Sequence, residues 1–209
     1  MANLPTLILG NRNSSAWSLA AWLCLKKSHA AFLEQGIDLS APNAAETLAE
    51  WSPSGLVPVL VHEGSPIWDS LAIAEYINEV WVAGNLWPKA ALQRAEARAL
   101  ACEVHAGFRA LTAGLPMNCR TQNLALPDTP ELARDIVRIA ASWQRALARS
   151  SGPWLFGPFS IADAMYAPMV FRFRSHGVRL GDAEHTYMRH VLSDPDVLAW
   201  FAAALKEAT

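Results

Sequence analysis

The sequence has few cysteines, no long apolar run and no excess of charge of either sign. Three widely spaced cysteines (Cys24, Cys102, Cys119) exclude a disulfide-stapled scaffold and indicate free thiols in a reducing cytoplasm. Seventeen Lys and Arg oppose nineteen Asp and Glu, and a net charge of −2 argues against a protein that binds the nucleic-acid backbone. No apolar run reaches the roughly 18 residues that a membrane-spanning helix needs. We therefore expect neither a nucleic-acid partner nor a membrane partner.

Several further signals are missing. The segment from Met1 to Pro5 lacks a basic stretch followed by an apolar one, so we expect no secretory signal and a cytoplasmic location. The six histidines form no H-x-x-x-H pair and no cluster with cysteine, so a metal site is not expected. The sequence also contains no G-x-S-x-G motif and no phosphate-cradling glycine loop, which argues against a serine hydrolase and a nucleotide-binding P-loop.

The 209 residues are 52% hydrophobic and 17% charged, which is enough apolar material for a sizeable core. The two halves differ in predicted secondary structure: strand and helix signals alternate in the first, and the second is almost entirely helical. Composition and periodicity change together at Gly84–Pro88. We therefore predict two domains, residues 1–83 and residues 84–209.

The apolar patterns predict an order β-α-β-α-β-β-α in the first domain. The predicted strands are Leu4–Leu9, a segment within Ala31–Leu39 around Gly36–Leu39, Val57–Val61 and Pro66–Trp68. The predicted helices are Ala16–Lys27, Ala44–Trp51 and a third from Asp69–Ser70 to about Trp81. In the second domain the predicted helices are Ala90–Ala113, Pro130–Arg149, a helix ending at Arg174 that Ser160 and Asp163 cap, Glu184–Leu192 and Asp194–Glu207.

Val57-Pro58 stands at the head of a predicted strand. Because proline cannot donate a hydrogen bond to a strand ladder, it belongs at a sheet edge or beside a ligand. One interpretation is an ordinary edge strand. The other is a cis-proline that turns the Val57 N–H and C=O outward, where an extended peptide can pair with them.

Asp69-Ser70 stands at the start of a predicted helix. Such residues cap helices, and capping alone is the simpler interpretation. The same groups also suit a ligand, because free N–H groups and the Ser70 hydroxyl fit a carboxylate while Asp69 fits an ammonium beside it. An α-amino acid head group presents both charges at that separation.

Asn13-Ser14-Ser15 lies between the first strand and the first helix. Serines at a helix start are usually caps. A hydroxyl there can instead donate a hydrogen bond to a thiolate, with help from the helix dipole. A charge-assisted hydrogen bond of about 1.5–3 kcal/mol together with the dipole can lower a thiol pKa by about two units.

The order of these features resembles the soluble glutathione transferases. The resemblance rests on the Ser-rich turn, S-P-S-G-x-V-P-V-L, D-S-L-A-I-A-E-Y-I and the Gly157–Asp163 segment, and it covers essentially the whole chain. It implies a thioredoxin-like α/β domain followed by an all-α domain, and a homodimer. It also implies glutathione as co-substrate, extended along Val57-Pro58 with its γ-glutamyl head on Asp69 and Ser70.

Within that superfamily the start of the chain is similar to the zeta (maleylacetoacetate isomerase) class, whose run R-S-S-C-S-W aligns with Arg12–Trp17. This alignment favours Ser14 as the group that activates sulfur, with Ser15 and Asn13 as alternatives. Ser15 stands where the zeta class has cysteine, and Leu56 replaces a lysine common in S-P-x-G-K-V-P. No tyrosine precedes Tyr76, which argues against a tyrosine-activated enzyme.

The resemblance places a pocket for the second substrate, a small apolar electrophile, at His105, Phe108, Asn118 and Arg120. Helix packing accounts for Phe108 equally well, whereas Arg120 can hold an anionic substrate. The implied activity is conjugation of glutathione to an electrophile. The alternatives are a glutathione-dependent cis-trans isomerase of a diketo acid and a non-catalytic protein that binds ligands or partners.

Overall fold

The computed structural model describes residues 4–207. A four-stranded sheet has the order β2-β1-β3-β4, with strands β1 (Thr6–Leu9), β2 (Leu33–Gly36), β3 (Val59–His62) and β4 (Ser65–Ile67). Strand β1 pairs parallel with β2 and antiparallel with β3, and β4 pairs antiparallel with β3. The second strand lies within the predicted Ala31–Leu39 but is centred before Gly36–Leu39, because register with β1 pairs Thr6 with Leu33 and Leu9 with Gly36.

Helix α1 (Ala16–Ser28) is apolar on nearly every side, and the structure explains why. It packs against α3 (Ser70–Val80) within the first part of the chain and against α7 (Ile161–Ser175) in the helical part. A helix covered from two sides carries no polar face. One continuous core therefore joins the two parts of the chain. The short helix α2 (Ala44–Ala49) ends before the predicted Trp51.

The other helices of the second part are α4 (Ala91–Ala106), α5 (Arg109–Gly114), α6 (Pro130–Leu147), α8 (Asp182–Ser193) and α9 (Pro195–Lys206). The single helix predicted over Ala90–Ala113 is wrong, because the chain breaks between α4 and α5. Phe108 has a left-handed φ of 51°, and a Cβ on Gly107 would lie 2.6 Å from the carbonyl oxygen of Glu103. Glycine is required at that approach.

The start of α7 is a buried polar cluster, and the predicted cap of Ser160 and Asp163 is present there. The Asp163 carboxylate accepts hydrogen bonds from the Ser160 N–H (2.9 Å), the Ser160 hydroxyl (2.8 Å), the Leu155 N–H (3.0 Å) and the Tyr187 hydroxyl (3.1 Å). Burial raises the pKa of Asp163 to about 6, against the lowering effect of these donors. The cluster holds the central helix of the second part in place.

Among residues 4–207, no helix has both the length and the apolar character needed to cross a membrane.

Candidate active site

The serine turn, residues 11–15, joins β1 to α1. Ser14 is exposed, and Ser15 is half-buried at the residue before the helix. The Ser15 hydroxyl donates to the hydroxyl of Ser18 (2.7 Å), which also accepts from the Gly10 N–H (3.2 Å). The expected side-chain cap is therefore not formed by Ser15, whose hydroxyl is turned away from the backbone N–H groups of α1.

Gly10 directly precedes the serine turn, and it lies close to the side chains of Val57, Ser15 and Leu39. A Cβ on Gly10 would lie 3.1 Å from Val57 Cγ2, 3.2 Å from Ser15 Oγ and 3.3 Å from Leu39 Cδ1. Because contacts this close leave no room for a side chain, glycine lets the three segments converge. The fold thus brings the Ser15 hydroxyl and the Val57 side chain to the same glycine, although 42 positions separate them in sequence.

The Val57–Pro58 peptide bond is cis, as the second interpretation of this dipeptide predicted. Within residues 4–207, neither the N–H nor the C=O of Val57 has a hydrogen-bond partner. The preceding bend is fixed by the Ser52 hydroxyl, which accepts from the Leu56 N–H (3.1 Å) and donates to the Leu56 carbonyl (2.7 Å). An extended peptide can pair with the free backbone groups of Val57.

Asp69 and Ser70 stand at the start of α3. Oδ1 of Asp69 accepts from the N–H groups of Leu71 (3.1 Å) and Ala72 (3.4 Å), so the capping interpretation of this residue is realised. Oδ2 of Asp69 lies 2.8 Å from Nε2 of His105. The Asp69 side chain is nevertheless 53% exposed, and Ser70 is buried beside it. A carboxylate offers about four acceptor positions, so capping leaves capacity for a ligand.

A cavity of about 790 Å³ opens on one side of the serine turn. It is lined by the turn, by the segment after β2 and by residues of the helical part: Gly10, Asn11, Asn13, Ser14, Ser15, Gly36, Ile37, Asp38, Leu39, Ser40, Arg120 and Glu207. The residues Val57, Pro58, Asp69 and Ser70 do not line it. The cavity is therefore separate from these four residues.

The four residues expected in the second-substrate pocket separate in the structure. Arg120 lines the cavity, with its guanidinium donating to the carbonyl oxygens of Ala204 (2.8 Å) and Glu207. His105 lies instead against Asp69 and beside Trp17, at 5.7 Å between ring centroids.

The other two of these residues fill structural positions. Phe108 is buried where α4 ends, and its side chain belongs to the main core. The Asn118 side chain accepts from the N–H groups of Arg120 (3.0 Å) and Thr121 (2.9 Å), which fixes a turn in the loop between α5 and α6.

Sequence reasoning missed the acidic residues of the cavity, Asp38 and Glu207, because no motif marks either of them. Hydrogen bonds from the Ser40 hydroxyl and N–H lower the pKa of Asp38. Behind the turn, burial raises the pKa of the Cys119 thiol to about 12. Cys119 is therefore a neutral thiol near pH 7 and does not compete as a nucleophile.

Two family models of known proteins match the chain. The family model for the glutathione S-transferase N-terminal domain matches residues 14–80, and the model for the glutathione S-transferase C-terminal domain matches residues 89–203.

Two curated relatives are similar over part of the chain. A probable maleylacetoacetate isomerase from Caenorhabditis elegans is 35% identical over 107 residues, which are 51% of this chain and 49% of that protein. Glutathione S-transferase U7 from Arabidopsis thaliana is 40% identical over 77 residues, 36% of this chain and 32% of that protein. These matches thus span about half the length of these relatives or less.

Solved structures share the whole fold. A glutathione transferase homologue from Burkholderia, crystallised with bound glutathione, has a TM-score of 0.77 at 22% identity and covers 98% of this chain and 100% of that one. A diazinon-metabolising glutathione S-transferase from the silkworm Bombyx mori also has a TM-score of 0.77, at 18% identity and 98% coverage of both chains. With a thioredoxin-like first part, a helical second part and a family model over each, the chain belongs to the glutathione S-transferase family.

Proposed function

We propose that this chain is a glutathione transferase that uses the thiolate of glutathione to attack a small apolar electrophile. The observation that carries the proposal is the convergence at Gly10, which both the Ser15 hydroxyl and the side chain of Val57 approach, while the backbone groups of Val57 have no hydrogen-bond partner among residues 4–207. A peptide paired with Val57 has its central residue beside that hydroxyl. A cysteine in that position brings its sulfur to the start of α1.

The binding pose follows from the charges at the two ends of the site. The γ-glutamyl ammonium lies on the exposed carboxylate of Asp69, and its carboxylate lies at Ser70 and the first turn of α3. The backbone of the tripeptide pairs with Val57 next to the cis bond to Pro58. We place the electrophile in the cavity on the other side of the serine turn, where Arg120 and Asn13 form part of the wall.

Either hydroxyl of the serine turn could stabilise the thiolate. The zeta-class alignment favours Ser14, which is exposed in the cavity. Two structural observations support Ser15: its Oγ and the Val57 side chain converge on Gly10, and it directly precedes α1, where the dipole favours an anion. We propose Ser15 as the principal donor, with its single O–H turning from Ser18 to the sulfur when glutathione binds. Ser14 is the alternative donor, and the side-chain amide of Asn13 is a neutral assistant.

A second candidate function is glutathione-dependent cis-trans isomerisation. It is favoured by the similarity to a protein named as a probable maleylacetoacetate isomerase. In that reaction the thiolate adds to the double bond of a diketo acid, the resulting single bond rotates, and elimination releases the thiolate unchanged. Addition and elimination need the same activated sulfur, so the site described above serves both reactions.

The test combines binding with two turnover assays. Calorimetry should show glutathione binding, and a chloro-nitrobenzene should be conjugated with release of chloride. Turnover of a cis-diketo acid without glutathione consumption would assign the isomerase instead. Binding without either reaction would support a ligand-binding protein, and absence of glutathione binding would contradict the proposal.

We also propose that the chain forms a homodimer, the commonest symmetric assembly of soluble proteins. Leu92, which is 87% exposed at the start of α4, and the exposed Val80 at the end of α3 lie on neighbouring helices and offer apolar surface to a partner. Light scattering at micromolar concentration should give twice the chain mass of 22.8 kDa. A mass equal to one chain would contradict this proposal.

A further inference from the structure

The end of α9 lies directly against the residues that precede the two serines. Oε2 of Glu207 accepts a hydrogen bond from the Arg12 N–H (2.6 Å), and Oε1 accepts one from the Arg12 guanidinium (3.2 Å). The indole N–H of Trp200, inside α9, donates to the Arg12 carbonyl (3.0 Å). Both backbone polar groups of Arg12 are therefore held by the last helix.

The loop between α5 and α6 holds the next residue in the same way. The N–H of Cys119 donates to the carbonyl of Asn13 (3.1 Å), and the N–H of Arg120 donates to Oδ1 of Asn13 (3.0 Å). The guanidinium of Arg120 then reaches the carbonyl oxygens of Ala204 and Glu207. Turn, loop and last helix are thus tied to one another at a single point.

The serines are linked to Arg12, because the turn that contains all three is closed by its own hydrogen bonds. The N–H groups of Ser14 (3.2 Å) and Ser15 (2.8 Å) both donate to the carbonyl of Asn11. A displacement of about 1 Å at a reacting group is enough to change a rate strongly. The position of the serine hydroxyls therefore depends on groups supplied by the helical part of the chain.

We propose that Glu207 is a positioning residue for the serine turn, acting through its hydrogen bonds to Arg12 and supported by Arg120. The inference rests on the proposed function, since the quantity that it controls is the ionisation of bound glutathione. It also gives Arg120 a role that differs from the anion-binding role expected from sequence: its guanidinium holds the end of α9.

A positioning role and a purely electrostatic role of Glu207 predict opposite shifts in the pKa of the bound thiol. As a bare negative charge on the cavity wall, it would oppose a thiolate, and removing the charge would lower the pKa of the bound thiol. As a positioning group, it needs only an acceptor oxygen for the Arg12 N–H, and removing that acceptor would raise the pKa of the bound thiol. The glutamine variant keeps one acceptor oxygen for the Arg12 N–H, and it loses the charge together with the second acceptor that the Arg12 guanidinium uses.

The experiment compares Glu207→Ala with Glu207→Gln by following thiolate absorbance of bound glutathione against pH, together with kcat and KM. Glu207→Ala should raise the pKa of the bound thiol by about one unit and lower kcat near neutral pH about tenfold, with the KM for glutathione within about twofold. Glu207→Gln should titrate like the wild type. Glu131→Ala, which removes an exposed glutamate paired with Arg134 on α6, is the matched control and should change nothing.

A second variant tests the same connection from the loop. Arg120→Lys keeps the charge but loses the planar fork that reaches two carbonyl oxygens, so it should shift the titration in the same direction as Glu207→Ala. The proposal is overturned if Glu207→Gln lowers the pKa of the bound thiol, or if both alanine and lysine variants lose thermal stability while the titration stays at the wild-type value.

The failures of the two proposals can be told apart with the wild-type protein. If it binds no glutathione in calorimetry, the proposed function fails and the role of Glu207 falls with it. If it binds and ionises glutathione while Glu207→Ala titrates identically, only the positioning role is wrong.

Discussion

Two helices of this molecule, α3 and α7, each have an aspartate and a serine at the start, but the two aspartates have different roles. At α7, Asp163 is 1% exposed and accepts from four donors, namely two groups of Ser160, the Leu155 N–H and the Tyr187 hydroxyl. At α3, Asp69 accepts from two helix N–H groups and contacts His105, and half of its side chain faces solvent. Both aspartates cap a helix.

The difference lies in what remains after capping. The donors around Asp163 come entirely from the protein, so that carboxylate has no capacity for a ligand and its work is structural. Asp69 retains acceptor capacity on an open surface. Burial and the number of internal donors, more than residue identity, thus distinguish a structural cap from a binding site.

The largest expected effect is on the free energy of unfolding, when the buried aspartate at the start of α7 is replaced. Asp163→Ala removes the acceptor from four buried donors and should lower the free energy of unfolding by about 3 kcal/mol or more. Chemical denaturation followed by tryptophan fluorescence measures it. Asp128→Ala, at an exposed loop position, is the control and should stay within about 0.5 kcal/mol of the wild type. Equal stability of the two variants would remove the distinction between the helix starts.

Asp163, at the buried start of α7, also makes the free energy of unfolding depend on pH in a direction that can be predicted. Its pKa is about 6 in the folded chain and about 3.9 in an unfolded one, so the native state binds the extra proton more tightly. The stability due to this group is present below about pH 4 and is lost as pH rises to about 6. The slope of unfolding free energy against pH in that window should be absent from Asp163→Asn; a slope that persists there would assign it to other groups.

At the exposed start the expected effect is on binding. Asp69→Asn keeps an oxygen for the N–H groups of Leu71 and Ala72 but loses the charge, so helix α3 stays capped while the ammonium loses its partner. The affinity for glutathione should fall by about 1.5–3 kcal/mol, with the melting temperature almost unchanged. Calorimetry and thermal melts of the same preparations measure both. A loss of stability without a loss of affinity would make Asp69 a cap like Asp163.

The smallest effect is expected at the hydroxyl of the buried cap. Ser160→Ala should cost about 0.5–2 kcal/mol of stability, because the carboxylate of Asp163 retains its other donors. The affinity of the folded variant for glutathione should equal that of the wild type. A weaker affinity at an unchanged melting temperature would show that the start of α7 communicates with the binding site.

Local chemistry explains why much of this fold was predictable. The S-x-x-D pattern at Ser160, the turn before the cis bond at Pro58 and the helix start at Asp69 are each determined by neighbouring residues. The predicted single helix failed at Gly107, where the preceding residues promote a helix and a close approach to the Glu103 carbonyl breaks it. A lone glycine in an alanine-rich segment does not signal that contact.

The candidate site was predictable only as separate pieces. The serine turn and Asp69 carry local signals, whereas the contact of His105 with Asp69 and that of Glu207 with Arg12 join residues 36 and 195 positions apart. Such pairs depend on how α4 and α9 pack, which no local pattern encodes. The same is true of Gly10, whose role as the meeting point of Val57 and Ser15 requires the folded sheet.

The pH titration of glutathione bound to the wild type, Ser14→Ala and Ser15→Ala, followed by thiolate absorbance, tests most directly whether the serine turn activates the sulfur. In the wild type, the pKa of the bound thiol should lie about two units below that of free glutathione. Ser15→Ala should raise it by about one to two units, and Ser14→Ala should leave it close to the wild type. A shift in Ser14→Ala alone would transfer the role to Ser14. If neither variant moves the titration, activation of sulfur by the serine turn is contradicted.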